Sequence, residues 1–154
     1  MSILKHLILA IALVPAAFVF GLGQTVERNK DVLPAESVNA IKSSAAFAEI
    51  LLRKTELQAD LEAFSADYTE ANPKIIDLRV ELNSLDRSLE KLFAVKPTET
   101  AKLTLALGKL IVRRAALETD LSRLTRSYNK DHPDVKRMER KVEIYDSAIK
   151  EVLH

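Results

Sequence analysis

Three groups of polar residues have types and spacings that could carry chemistry. His132 stands between Asp131 and Asp134, and an imidazole among carboxylates is the beginning of a metal site. Read structurally, His132-Pro133 is a helix start, and Asn72-Pro73 occupies the matching place in the other half of the chain. Tyr68 and Tyr128 each stand shortly before such a break. A tyrosine there could contact a glycan or a protein partner, or pack over its own turn. Lys54 and Arg114 interrupt apolar runs at equivalent positions. A basic residue in a seam can fix register or assembly. Otherwise its stem covers the edge of the seam while its charge reaches water.

Most other chemistry lacks its residues. The sequence has no Cys, which removes disulfides, thiolate nucleophiles and thiolate metal sites. After Gly23 the only glycine is Gly108, so a glycine-rich phosphate loop is absent. No nucleophile has a nearby His, no His pair has metal spacing, and the alternating Asp and Glu residues read as solvated helix faces. The expectation is a protein that is not an enzyme, with no catalytic residue, no metal and no cofactor. The 23 basic residues balance 22 acidic ones without a clustered basic face, which gives no electrostatic case for nucleic acid.

The elements that hold these residues are written twice. Shifted by 60 residues without a gap, Leu57 falls on Leu117, Asp60 on Asp120, Leu61 on Leu121, Tyr68 on Tyr128, Pro73 on Pro133 and Asp86 on Asp146. Each copy is an apolar-periodic run, a Tyr, a short break ending in Asn-Pro or His-Pro, and a second apolar-periodic run. A helix is expected over about 44–68, with Phe47, Ile50, Leu57, Leu61, Phe64 and Tyr68 on one seam, Lys54 filling its gap, and Leu51 and Leu52 broadening the stripe. The next runs from Pro73 to about Phe93 on Ile75, Leu78, Leu82, Leu85, Leu89 and Leu92, a coiled-coil spacing. The third carries Leu103, Leu107, Leu110, Leu117, Leu121, Leu124 and Tyr128 around Arg114. The fourth, from Pro133, carries Val135, Met138, Val142, Tyr145, Ile149 and Val152.

Asn72 suits an N-cap and Pro73 the first helical position, where a missing amide costs nothing. If the third helix began at Pro97 it would be about ten residues, or ~15 Å, longer than the second. Either residues 94–102 are partly unwound, or the second pair of helices is displaced along the axis into a rod.

The amino terminus reads as targeting. Lys5 and His6 precede an apolar run from Leu7 to Phe20 and then Gly21-Leu22-Gly23, which fits a secretory signal cleaved near Gly23. The alternative is an uncleaved anchor at the short edge of a bilayer span. The resulting division is residues 1–23 as signal peptide or anchor, 24–43 as tether, 44–93 as first helical hairpin, 94–102 as link and 103–154 as second hairpin. Within the tether, Ala35 to Lys42 permits a helix, and Ser43 or Ser44 can cap the one beyond.

The pattern Ala46-Phe47-Ala48-Glu49-Ile50-Leu51, Arg53-Lys54, Glu56-Leu57, Asp60-Leu61, Tyr68, Asn72-Pro73, Ile75, Leu78 resembles the periplasmic coiled coil of polysaccharide co-polymerases, the chain-length-determinant and exopolysaccharide-export proteins of bacterial envelopes. The second copy, with Tyr128, His132-Pro133 and Val135, is similar to that family's Tyr-x3-His-Pro-x-Val signature. The resemblance covers residues 44–93 and 104–153, the coiled-coil element only. It implies a periplasmic or inner-membrane-anchored location and a link to polysaccharide export. The sequence therefore predicts an all-α protein of two tandem antiparallel coiled-coil hairpins, bundled or drawn into a rod. As an exported non-enzymatic scaffold or spacer it would meet a protein partner, or itself, through its seams, and a membrane only through residues 1–23. The alternative is a small periplasmic helical-hairpin chaperone or adaptor that binds client proteins.

Overall fold

A computed structural model describes residues 35–153. The described chain is all-helical: α1 (Ala35–Lys42), α2 (Ala45–Asp67), α3 (Pro73–Phe93), a 3-10 turn (Pro97–Lys102), α4 (Leu105–Ser127) and α5 (Pro133–Leu153). The apolar segment 1–23 and residues 24–34 lie outside the described residues, and with them the signal or anchor reading. No described helix is long and apolar enough to cross a membrane.

The start of each long helix follows from its capping residue. Ser44 and Thr104 are extended and accept hydrogen bonds from the Phe47 and Leu107 amides, capping α2 and α4. Asn72 accepts from the Lys74 amide ahead of Pro73, and His132 Nδ1 accepts from the Asp134 amide ahead of Pro133. Tyr68 and Tyr128 end α2 and α4 in nearly one conformation, φ −128°, ψ 153° and φ −131°, ψ 153°. The repeat thus holds to the level of single hydrogen bonds: α2 and α4 have 23 residues each, α3 and α5 have 21 each.

Those equal lengths settle the offset at the link. Pro97 begins a six-residue 3-10 turn rather than the α-helix, and Leu103 ends that turn at φ −77°, ψ 58°. The chain between α3 and α4 is therefore unwound, and α4 starts at Leu105. The start of α4 is tied to that of α2 by a backbone bond from the Ala46 amide to the Leu103 carbonyl, 3.2 Å.

Packing is less symmetric than sequence. The helices α2, α3 and α4 pack against one another, whereas α5 has α4 as its one extensive neighbour among the described residues. Ile50 and Leu57 of α2, Leu78, Leu82, Leu85 and Leu92 of α3, and Leu107, Ile111 and Ala115 of α4 form the core. Of the seam of α5 only Val135 is buried; the rest is half-covered. Two expectations need correction. Leu51 and Leu52 do not extend the buried stripe of α2: they are 46% and 59% exposed, because α3 and α4 cover other faces of that helix. The segment read as a tether contains a packed helix, α1, whose Ile41 is fully buried.

Candidate functional site

Two charged residues are buried among those described, Glu81 of α3 and, in the middle of α4, Arg114, which is 7% exposed. Its guanidinium donates to Glu118 on the same helix at 2.9 Å and to Asp146 of α5 at 3.2 Å. It also donates to the Ser84 and Ser88 hydroxyls of α3 at 3.3 and 3.0 Å. One side chain therefore joins three helices. The reading in which its charge reaches water is overturned: Ser84 and Ser88, small and polar, leave room on α3 for a planar, five-donor group. Lys54, its counterpart, is less enclosed and pairs with Asp86 across α2 and α3. Lys54–Asp86 and Arg114–Asp146 span the same 32 residues, so this ion pair is part of the repeat.

Other charges also serve contacts between helices. Arg53 of α2 donates to Glu81 of α3 at 2.7 Å, and that bond raises the Arg53 pKa above its ordinary value. Asp77 of α3 accepts from Arg123 and Arg126 of α4. Burial alone would raise the Asp77 pKa; the two arginine hydrogen bonds outweigh it and hold the carboxyl below its usual range. The same bond raises Arg123. Every buried side-chain nitrogen and oxygen among the described residues has a partner.

The turn residues lie at the opposite end of the helices from the link. Tyr68 stacks on Phe64, with ring centres 5.8 Å apart, and the Lys74 ammonium sits 5.7 Å from the Phe64 ring centre. Tyr128 stacks on His132 at 4.1 Å. Both tyrosines remain about half exposed, leaning on their own turns. His132 Nδ1 accepts from the Asp134 amide as part of the helix start. Asp131 pairs with Lys136, and the Asp134 carboxyl is lowered first by its bond from Arg137. Among the described residues no three His, Cys, Asp or Glu side chains converge as metal ligands.

Two surface features were not evident from sequence. An open groove of about 440 Å³ runs between α2 and α4, lined by Leu52, Val112, Ala116 and the bonded Arg53, Glu56 and Glu81. On the outer face of α5, Lys136, Arg137, Arg140 and Lys141 surround Ile144, which is 63% exposed. The missed signal lay in the repeat: Ile144 aligns with the buried Ser84. Against known proteins, the chain matches no family model, no curated protein and no solved structure.

Proposed function

We propose that this protein is a non-enzymatic structural element of the bacterial envelope: two antiparallel coiled-coil hairpins in tandem, acting as a scaffold or spacer. The observation that carries this reading is the exact recurrence, 60 residues apart, of caps, turn conformations, helix lengths and the basic–acidic bridge. Such repetition builds length and rigidity. Strong electrostatic interactions go the same way: Arg53, Asp77, Arg114 and Arg123 bond across helix interfaces, where they set register.

Residues 1–23 as a signal or anchor place the helices in the periplasm, free or tethered to the inner membrane. The Tyr-x3-His-Pro-x-Val motif at 128–135 links the protein to exopolysaccharide export. Deleting the gene in its own host and sizing the exported polysaccharide tests that link. A shifted amount or length distribution supports it, and an unchanged polymer refutes it. Intact mass of the protein recovered from the envelope decides between cleavage near Gly23 and retention.

A second reading, capture of unfolded clients, is favoured by the exposed Leu51, Leu52, Leu105 and Ile144. Light scattering of an aggregating client separates the two, since a passive spacer leaves aggregation unchanged.

A further inference from the structure

The repeat gives each long helix of the described chain a counterpart 60 residues away, and two of these comparisons are unequal. On α4, the face formed by Gly108, Ile111, Ala115 and Thr119 is buried. The same face of α2, formed by Ala48, Leu51, Thr55 and Ala59, is exposed throughout. On α3, Glu81, Ser84 and Ser88 are buried. Their counterparts on α5 are the exposed Lys141 and Ile144 and the half-buried Ala148.

The two buried faces belong to one contact, the seating of α4 against the α2–α3 pair, seen in the bonds from Arg114 to Ser84 and Ser88 and from Arg123 to Asp77. The two exposed faces are therefore the two sides of that same contact, each lacking its other half. No helix of the described chain can join them: α2 cannot seat against the α4–α5 pair while α4 occupies its place against α2 and α3. A second molecule can.

We propose that this chain associates with copies of itself head to tail, the outer face of α2 in one copy seating on the α4–α5 pair of the next. The contact is heterologous, so it leaves a free face at each end and builds an open row rather than a closed pair. The proposal goes beyond the envelope scaffold and holds whether or not polysaccharide is involved.

Charge selects this occupant. Within the chain, acidic Asp77 on α3 meets basic Arg123 and Arg126 on α4. At the free face of α5 the sign is reversed: Arg137 stands where Asp77 stood, and α2 carries Ala63 and Ala66 in place of Arg123 and Arg126, so the groups left to meet Arg137 are the neighbouring Glu62 and Asp67. The matching half of α2 is acidic, with Glu56, Asp60, Glu62 and Asp67 and no basic residue after Lys54. Arg140 and Lys141 make no ion pair among the described residues, and Arg137 reaches only Asp134 on its own turn. Apolar contact adds to this, Leu51 of one copy opposing Ile144 and Ala148 of the other.

The intermolecular contact is looser than its model. Gly108 lets α4 approach α2 so closely that an added Cβ would lie 2.8 Å from Glu49 Cβ and 3.0 Å from Ala46 Cα. The incoming α2 carries Ala48 at that position, so it stands further off and packs less tightly. Association is reversible and depends on concentration.

Disulfide trapping tests the proposal on the full chain, which has no cysteine of its own. Within the chain Ile111 and Ser88 line one small gap, so Leu51 of one copy and Ala148 of the next are the matching pair. Chains carrying Leu51→Cys and Ala148→Cys separately should cross-link when mixed, and a chain carrying both should form a ladder of dimers, trimers and longer rows. Arg137→Glu should lower the yield about fivefold, in the range of lost surface charge pairs, and Glu62→Arg on the other chain should restore it. Cross-linking no stronger than that of the control pair Asn83→Cys and Ala148→Cys overturns the proposal. So does Leu51→Cys joining to itself as readily as to Ala148→Cys, which would mean a two-fold contact. A yield indifferent to charge reversal overturns it as well. Sedimentation with anionic vesicles that depends on Arg137 and Lys141, without cross-links, would assign the α5 face to a membrane instead. All substituted positions are exposed or half-exposed, and an unchanged helical circular-dichroism spectrum confirms that each variant folds.

Discussion

Arg114 is a charge placed where hydrocarbon would pack, and its environment predicts how its removal is felt. Removing the guanidinium opens a gap and takes a donor from the buried Ser84 and Ser88 hydroxyls, while Asp146, 41% exposed, is met by water, so Arg114→Ala should lower stability by about 2–3 kcal/mol in urea unfolding. Arg114→Met with Ser84→Ala and Ser88→Ala removes the polar partners on α3 together with the charge and should recover most of that loss. Lys54→Ala, at the equivalent but wetter site, should cost no more than about 1 kcal/mol. Equal losses at the two sites would contradict the burial difference. Asp77 predicts a pH dependence. Its carboxyl titrates lower in the folded chain than in the unfolded one, so its contribution is complete above the ordinary carboxylate value of about 4. That contribution disappears as pH falls through the lowered folded value. Asp77→Asn should therefore reduce stability at neutral pH and flatten its decline in acid; an acid limb that stays as steep would sink the assignment. The seam gap at Arg114 was legible in sequence, because the heptads on either side frame it. Its burial was not, because Ser84 and Ser88 lie off the α3 seam and matter only once α4 is laid against them.

At the scale of elements, local signals did most of the work. Ser44, Asn72-Pro73 and His132-Pro133 mark helix starts through hydrogen bonds made within one turn, and such bonds need no tertiary partner. The start of α4 was harder to read: Pro97 also begins a helical turn, but the turn is 3-10 and stops at Leu103, and Thr104 is the true cap. What sequence could not show is which face of each helix another helix would claim. Leu51 and Leu52 have the composition of core and lie outside it, while Gly108, a poor helix former, lies at the closest approach of α2 and α4. That makes Gly108→Ala a sensitive test. Alanine gains about 1 kcal/mol of helix propensity. Its Cβ would press on the Ala46 backbone, which cannot rotate away, and overpacking of this kind costs about 1–3 kcal/mol. The net effect should be lower stability, the reverse of what an exposed mid-helix glycine would give. A more stable variant would show that α2 and α4 are further apart than the structure places them. Ala48→Gly, on the exposed counterpart, should cost only about 0.5–1 kcal/mol through chain entropy.

Across the described chain, helices of equal length are stabilised unequally, because α4 is covered on several sides and α5 chiefly on one. The α3 seam is buried almost end to end, whereas α5 buries Val135 alone and leans on the core through Ile149, Val152 and Leu153. Its far end is held by Lys102 donating to the Leu153 carbonyl at 2.9 Å, and its middle by Arg114 and Asp146. Opening α5 therefore exposes less apolar surface and breaks fewer contacts than opening α3, which dismantles the core. In dilute solution, amide hydrogen exchange should release α5 well before α3, although both are 21-residue helices begun by proline. Raising the protein concentration should then slow exchange in α5 and along the outer face of α2 together, leaving α3 unchanged, since only the first two gain a neighbour when rows form. Protection in α5 equal to that in α3 at low concentration would mean that the second pair carries a core of its own. A concentration effect confined to α5 would mean that its partner is something other than α2 of another copy.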